Sequence, residues 1–329
     1  MLTRRIPSCA ATRPDPPPVR ILVALLIGLV PLVATADSTA GESNPYIFVL
    51  GIAQDAGYPQ ANCFRPHCMR AWENPALKRL TSSIAVVDGG HGKKYLFDAT
   101  PDIREQLYRL HVEAPDDSHD LGGVFLTHGH MGHYTGLMHF GREADGSDGI
   151  PVFAMPRMRN FLSTSGPWSQ LVGLGNIELM PIRSDRKIAL SDALSVVPIQ
   201  VPHRDEYTET VGYRISGPSK SALFIPDIDK WSKWDTDIRD LIREVDYALL
   251  DGSFFADGEL PGRDMNEIPH PYVQESLELF ADLPESEKAK IIFIHFNHTN
   301  PLLIDGSDAQ KQLTTLGYRF ATEGMRLTL

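Results

Sequence analysis

The stretch Thr127-His128-Gly129-His130-Met131-Gly132-His133 places three imidazole side chains within six residues. It directly follows an apolar run, residues 124–126, which predicts a buried strand. Neutral imidazole is the commonest metal ligand, and alternating histidines in a turn can converge on one or two ions. A histidine-rich surface turn is the alternative. The buried strand before the turn, and the partners at later strand ends, favour a metal site.

Other polar residues stand where further apolar runs end. Five apolar strands, counting the one before His128, each deliver one potential ligand or a residue that supports a ligand. Strand ends are where sites gather in layered α/β folds. We therefore expect these residues to meet: Asp98, His128, His203, Asp227 and His295.

Short apolar runs alternate with helical patterns along the chain, which indicates an α/β protein. The predicted strands are residues 46–51, 84–88, 95–98, 124–127, 152–155, 195–201, 211–215, 222–225, 247–251 and 291–295. The predicted helices are residues 102–110, a stretch beginning near 131, and residues 156–162, 238–245, 271–279 and 308–316.

Taken together, the histidine run and the later strand ends resemble the metallo-β-lactamase superfamily, which has a His-x-His-x-Asp-His signature and later His, Asp and His ligands. Residues 51–60, 97–104 and 295–301 resemble the branch of pyrroloquinoline-quinone biosynthesis protein B. The resemblance runs from Tyr46 to the C-terminus. It implies a four-layer αββα sandwich over residues 46–329, after a linker at residues 37–45.

Ligand roles follow from this resemblance. It implies one metal ion bound by His128, His130 and His203, and a second bound by His133 and His295, with Asp227 bridging. Zn²⁺, as one or two ions, is the expected metal, and Fe²⁺ or Mn²⁺ are alternatives. The family's first motif corresponds to Asp98, a carboxylate that orients ligand loops, or else a strand-end cap.

One position departs from the signature, because Gly132 stands where the family has aspartate. Glycine offers no side-chain ligand, so the second site would keep only His133, Asp227 and His295. That set of two histidines and one carboxylate also suits non-haem Fe(II). On this basis Gly132→Asp should restore a ligand and raise the affinity for the second ion.

Two more histidines are candidates for proton transfer. His270 follows the Asp251-Gly252-Ser253-Phe254 strand end, in the order that ribonuclease Z-like relatives use for a proton-transferring histidine. His298 lies three residues beyond His295 and would be a ligand or an acid. A surface position is the alternative for both. The expected catalytic residues are Asp227 and His270.

These residues predict a metal-dependent hydrolase, in which metal-activated water attacks an ester, lactone, lactam or phosphodiester. An iron-dependent oxidoreductase or hydroxylase, as the named branch suggests, is the alternative. A third class is a binding protein that uses the metal only for structure.

The first 36 residues differ from the rest of the chain. Four arginines precede an apolar run at residues 21–33 that leads into Ala34-Thr35-Ala36. The run is shorter than the roughly 20 apolar residues of a membrane-spanning helix. It predicts a secretory signal peptide, residues 1–36, with an uncleaved anchor as the alternative. We expect a periplasmic or secreted protein without stable membrane insertion after cleavage.

Charge and cysteine content limit the remaining possibilities. The net charge of −11 disfavours nucleic acid as a partner, so a small-molecule substrate is expected. Cys63 and Cys68 would close a small disulfide or, with His67, supply part of a zinc clip whose fourth ligand the sequence does not identify. We favour a structural loop without metal there.

Overall fold

Two seven-stranded mixed sheets form the frame of the protein. The structure, a computed structural model, describes residues 44–329, apart from the side chain of Asn266. In chain order the strands are β1 Tyr46–Gly51, β2 Ser83–Asp88, β3 Lys93–Phe97, β4 Asp120–Phe125, β5 Ile150–Ala154, β6 Ile177–Pro181, β7 Ile188–Ala189, β8 Ser195–Gln200, β9 Val211–Ser216, β10 Ser221–Ile225, β11 Tyr247–Asp251, β12 Ile291–Ile294, β13 Arg319–Phe320 and β14 Arg326–Thr328. The α-helices are α1 Pro66–Glu73, α2 Ile103–Glu113, α3 Met131–Tyr134, α4 Pro156–Thr164, α5 Trp168–Gly173, α6 Ile238–Arg243, α7 Val273–Leu279, α8 Glu285–Lys288 and α9 Asp308–Thr315.

Both sheets combine an antiparallel half with a parallel half. The first sheet has the order β14-β1-β2-β3-β4-β5-β6 and is parallel from β3 to β6. The second has the order β13-β12-β11-β10-β9-β8-β7 and is parallel from β10 to β13. Parallel strands need crossover connections, and helices supply most of them here. The carboxyl ends of the parallel strands in each sheet therefore lie along one edge.

The burial pattern of β1 shows how the layers stack. Ile47 belongs to the apolar cluster that also contains Phe224 of the second sheet and Ile242 of α6. Its neighbour Phe48 points to the other face of the first sheet and belongs to the cluster that contains Ile103 of α2. Successive side chains of a strand face opposite sides, so one side of the first sheet packs on the second sheet and the other on helices. The result is the expected four-layer αββα sandwich.

An aromatic stack between the sheets fixes the end of β4, from which the histidine turn starts. Phe125 stacks on Phe97 and Phe153, with ring centroids 4.9 Å and 4.2 Å apart. Tyr213 of the second sheet meets Phe125 edge to face at 5.6 Å. The Tyr213 hydroxyl also donates a hydrogen bond to the carbonyl of Leu126. The start of the histidine turn is thereby held by packing from both sheets.

Most predicted strands and helices form within a few residues of their expected bounds, and the differences have local causes. Helix α1 lies in the cysteine loop, where Pro66 at its first turn supplies a helix start that the surrounding glycines and prolines obscured. Strands β7 and β13 have two residues each, too few for a periodic pattern. Strands β6 and β14 are sheet edges with exposed side chains.

Two expectations concern the N-terminus and the membrane. Residues 1–36, the predicted signal peptide, lie outside the described residues. Within residues 44–329, no helix has the length and apolar character that crossing a bilayer requires.

Candidate metal centre

The expected ligands converge from loops that leave the strand ends of both sheets. His128 and His130 lie between β4 and α3, and His133 lies in α3. His203 follows β8 and Asp227 follows β10. His295 follows β12 directly. Four-coordinate zinc with bonds of about 2.0–2.1 Å to nitrogen or oxygen places its donor atoms about 3.4 Å apart, which gives a test of the arrangement.

The first donor group consists of His128, His130, His203 and Asp227. His128 Nε2 lies 2.8 Å from His130 Nδ1 and 3.3 Å from Asp227 Oδ2. His203 Nε2 lies 3.4 Å from Asp227 Oδ1. These separations suit four donors around one ion.

The second donor group consists of Asp55, His133, Asp227 and His295. Asp227 Oδ2 lies 3.3 Å from His133 Nε2 and 3.7 Å from His295 Nε2. Asp55 Oδ1 lies 3.1 Å from His133 Nε2 and 3.4 Å from His295 Nε2. Asp227 thus belongs to both groups, in the bridging place that the resemblance implied.

The carboxylate of Asp98 anchors the histidine turn through hydrogen bonds. Its carboxylate accepts hydrogen bonds from the backbone N–H of Thr127 at 2.8 Å and from the Thr127 hydroxyl at 3.0 Å. His133 Nδ1 lies 2.8 Å from Asp98 Oδ2. The Thr127 oxygen also lies 3.0 Å from His128 Nδ1. Because the Thr127 hydroxyl donates to Asp98, its oxygen accepts from His128. Asp98 therefore fixes the backbone of the turn and the ring of His133 directly, and the ring of His128 through Thr127.

A similar series of hydrogen bonds orients His295 at the end of the second sheet. Asp251 accepts hydrogen bonds from the backbone N–H of Ser253 at 2.9 Å and from its hydroxyl at 2.8 Å. The Ser253 oxygen lies 2.9 Å from His295 Nδ1 and accepts from it. Asp98 and His295 have positive φ angles of 71° and 70°, which only a few per cent of non-glycine residues adopt.

These bonds decide which nitrogen of each ring can bind a metal. His128, His133 and His295 all donate from Nδ1, so in the neutral tautomer each has a lone pair on Nε2, directed at the carboxylates. Within the described part of the chain, His203 Nε2, His295 Nε2 and Asp227 Oδ1 are buried without a hydrogen-bond partner. A cluster of lone pairs and carboxylates requires a cation, and divalent metal ions fit this donor set.

The pKa values of His133 and Asp227 are shifted by the charges that surround them. Burial alone would lower the pKa of His133, but Asp98, Asp227 and Asp55 raise it well above its ordinary value. Burial alone would raise the pKa of Asp227, but the surrounding histidines hold it well below its ordinary value. Asp227 therefore stays ionised and available as a ligand.

His270 stands beside the donor groups and lines a cavity. Its Nδ1 lies 2.8 Å from Asp251 Oδ2 and 3.2 Å from Asp227 Oδ1. Burial opposes its protonation, but Asp251 and Asp227 raise the pKa of His270 to about 9. The cavity has a volume of about 630 Å³, and its lining includes Gln54, Arg204, Phe254, Arg263, His270 and Asn297.

The cysteine loop forms a separate cluster. Cys63 and Cys68 are joined as a disulfide, one of the two alternatives that the sequence left open. His67 Nε2 lies 3.4 Å from Cys63 Sγ, and the ring of His298 lies 5.5 Å from that of His67. His298 thus belongs to this cluster rather than to the main donor groups, and it is half-buried rather than a surface residue.

The structure brings together all six residues that the sequence named as ligands, and it places His270 against Asp227. Asp55 is the member of the site that the sequence reasoning missed. A signal was present, because Asp55 follows β1 as the other site residues follow their strands. Asp251 and Ser253 were noted only as a strand end, and their bonds to His270 and His295 depend on tertiary structure.

Comparison with known proteins extends this picture. The family model described as "Beta-lactamase superfamily domain" matches residues 93–296. Coenzyme PQQ synthesis protein B of Methylobacterium sp. (strain 4-46) is 28% identical over 309 residues, which cover 85% of this chain and 99% of that protein.

Two solved structures share the fold. The Zn²⁺-bound PqqB from Methylobacterium extorquens has a TM-score of 0.71 and 24% identity, covering 86% of this chain and 100% of the other. A diphosphatase from the PhnP family has a TM-score of 0.61 and 23% identity, covering 87% of this chain and 97% of the other.

Proposed function

This chain belongs to the β-lactamase superfamily, in its PqqB-like branch, and from that premise we propose that it is a metal-dependent hydrolase acting on a small molecule. The observation that carries the proposal is the pair of donor groups that share Asp227 beside an open cavity. Two ions held by one bridging carboxylate form the arrangement that hydrolytic two-metal sites use. Zn²⁺ is the proposed metal, and the Zn²⁺-bound PqqB shows that a related fold accepts it.

Bound divalent ions would lower the pKa of a coordinated water to about 7 and polarise the bond under attack. The chain's own residues would supply the rest. Asp227 joins the two donor groups and fixes their separation. Asp251 accepts a hydrogen bond from His270 Nδ1, which leaves Nε2 as the ring nitrogen available to the cavity. His270 would therefore hold a proton at Nε2 for the leaving group.

The cavity supports a polar substrate. Its wall includes two arginines, Arg204 and Arg263, two acidic residues, Asp264 and Glu267, and the amide residues Gln54 and Asn297. Arginine pairs well with phosphate and carboxylate oxygens. Because the lining carries charges of both signs, it favours a polar substrate from among the ester, lactone, lactam and phosphodiester classes. The PhnP-family protein of similar fold is described as a diphosphatase.

A panel of chromogenic substrates tests the proposal. Zinc-loaded protein is assayed with a para-nitrophenyl phosphodiester, a para-nitrophenyl ester, a lactone and a cephalosporin lactam. We expect turnover of at least one class, with a kcat roughly 10²–10⁴-fold lower in His270→Gln and an unchanged metal content. Hydrolysis of none of the four classes by fully loaded protein would count against a hydrolase.

An iron-dependent oxidoreductase is the second candidate. His133, Asp227 and His295 form the set of two histidines and one carboxylate that suits non-haem Fe(II), and the curated relatives are named for coenzyme PQQ synthesis. To separate this candidate from the hydrolase, the protein is loaded with Fe(II) under anaerobic conditions and then exposed to oxygen. Oxygen consumption would favour the oxidoreductase.

We also propose that the mature protein begins after Ala36 and works in the periplasm or outside the cell. The Cys63–Cys68 disulfide supports this proposal, because disulfides persist in oxidising compartments. N-terminal sequencing of exported protein tests it, and an intact Met1 on a cytoplasmic protein would contradict it.

A further inference from the structure

Position 132 carries glycine where the family signature has aspartate, and the carboxylate of a different residue occupies the adjacent space. A Cβ atom placed on Gly132 would lie 2.4 Å from Asp55 Cα and 2.7 Å from Asp55 Oδ1. Non-bonded carbon atoms approach only to about 3.5 Å without repulsion. No larger residue therefore fits at position 132 while Asp55 keeps its place.

The loop that carries Asp55 is fixed to the segment that carries His295. Ala53 forms a β-bridge with Phe296. The N–H of Gln54 donates to the carbonyl of Phe296 at 2.8 Å, and the N–H of Phe296 donates to the carbonyl of Ile52 at 2.8 Å. Asp55 directly follows Gln54, and His295 directly precedes Phe296, so the two site residues flank this hydrogen-bonded pair. Their distance is set by backbone hydrogen bonds.

The charges around Asp55 point to a cation between it and the histidines. In the neutral tautomers set by Asp98 and Ser253, His133 Nε2 and His295 Nε2 carry lone pairs and have no proton to donate. A carboxylate oxygen 3.1 Å and 3.4 Å from two such nitrogens would be repelled by them unless a positive charge lay between. Either protons or a metal ion can supply that charge.

We propose that Asp55 is the fourth ligand of the second metal site, replacing the aspartate that the family signature carries at position 132. The carboxylate has moved from the start of α3 to the loop after β1, and Gly132 provides the room for it. This inference rests on the proposed metal centre. It completes the second donor group as two histidines and two carboxylates.

With Asp55 as a ligand, two expectations from the sequence change. Gly132→Asp should not restore a missing ligand, because its side chain would collide with Asp55. The second site also has fewer open positions than a set of two histidines and one carboxylate, so the ligand set favours the hydrolase over the iron-dependent candidate.

Metal counting on a set of variants tests the proposal. Asp55→Asn and Gly132→Asp are loaded with Zn²⁺, dialysed and analysed for zinc per chain. The affinity for the second ion is measured by competition with a chromogenic chelator. Asp235→Asn is the control, because Asp235 is an exposed carboxylate outside both donor groups.

We expect Asp55→Asn to keep the first ion and to bind the second about 100-fold or more weakly, since a ligand is lost. Gly132→Asp should also lose affinity for the second ion, because its Cβ would displace the backbone at Asp55, and Asp235→Asn should keep both ions. Retention of the first ion shows that the Asp55→Asn chain is folded. Unchanged second-ion affinity in Asp55→Asn, or no second ion in the wild type, would overturn the proposal. Substrate turnover does not enter this readout, so the failure of the hydrolase proposal would be recognised separately.

Discussion

In three of the proposed ligand histidines, a hydrogen bond to Nδ1 decides which ring nitrogen faces the donor groups. Asp98 and Thr127 fix the rings of His133 and His128, and Ser253 fixes the ring of His295. With Nδ1 committed to these bonds, Nε2 is the only nitrogen that each ring can offer to an ion. The single residues that matter most for metal binding therefore include Asp98 and Ser253, which contact no ion themselves.

A pH prediction belongs to His298, outside the donor groups. Burial, with His67 and Arg65, lowers the pKa of His298 from 6.5 to about 4. Between pH 6.5 and about pH 4, the unfolded chain therefore binds a proton at His298 that the folded chain does not bind. The free energy of unfolding therefore decreases as the pH falls through this range. His298→Gln should remove this loss.

The measurement is the free energy of unfolding by urea at about pH 7.5 and about pH 4.5, with a chelator present so that metal loss does not contribute. After an allowance for partial exposure, the drop between the two pH values should be smaller in His298→Gln than in the wild type by about 1–2 kcal/mol. Identical drops would show that the pKa of His298 is not depressed.

At the level of elements, the stack of Phe97, Phe125, Phe153 and Tyr213 links the two sheets and fixes the end of β4. Phe125 is fully buried within it. Phe125→Ala should lower the free energy of unfolding by about 3–5 kcal/mol, because it leaves a cavity between the sheets. Urea denaturation measures the change.

Phe64→Ala is the control, since Phe64 is 69% exposed and its removal should change stability by less than about 0.5 kcal/mol. Equal effects of the two substitutions would mean that the stack does not hold the sheets together.

Strand ends were the part of the site that the sequence could predict. The apolar runs before His128, Asp227 and His295 are long enough to be recognised as strands, so the residues that follow them could be expected to meet. Asp55 also follows such a run, yet nothing in its neighbourhood shows that it approaches Gly132, which lies far along the chain. That contact depends on the pairing of the loop after β1 with the loop after β12, which sequence patterns do not specify.

At the scale of the whole molecule, the sandwich explains why ligands so distant in sequence share one site. The two sheets bring their strand ends to the same place, and Asp227 of the second sheet joins the histidine turn of the first. The family could be predicted from the histidine run and its later partners. The shape of the cavity could not, because its wall includes loop residues such as Arg204 and Arg263, whose positions depend on tertiary packing.

The metal content of purified protein tests whether the centre holds two ions that share Asp227. Protein prepared anaerobically and analysed by mass spectrometry for all divalent metals should contain about two ions per chain. His128→Ala and His130→Ala should each reduce this to about one, because the first donor group has no spare protein ligand. A wild type without tightly bound ions, or an unchanged metal content in both variants, would contradict a two-ion centre at these residues.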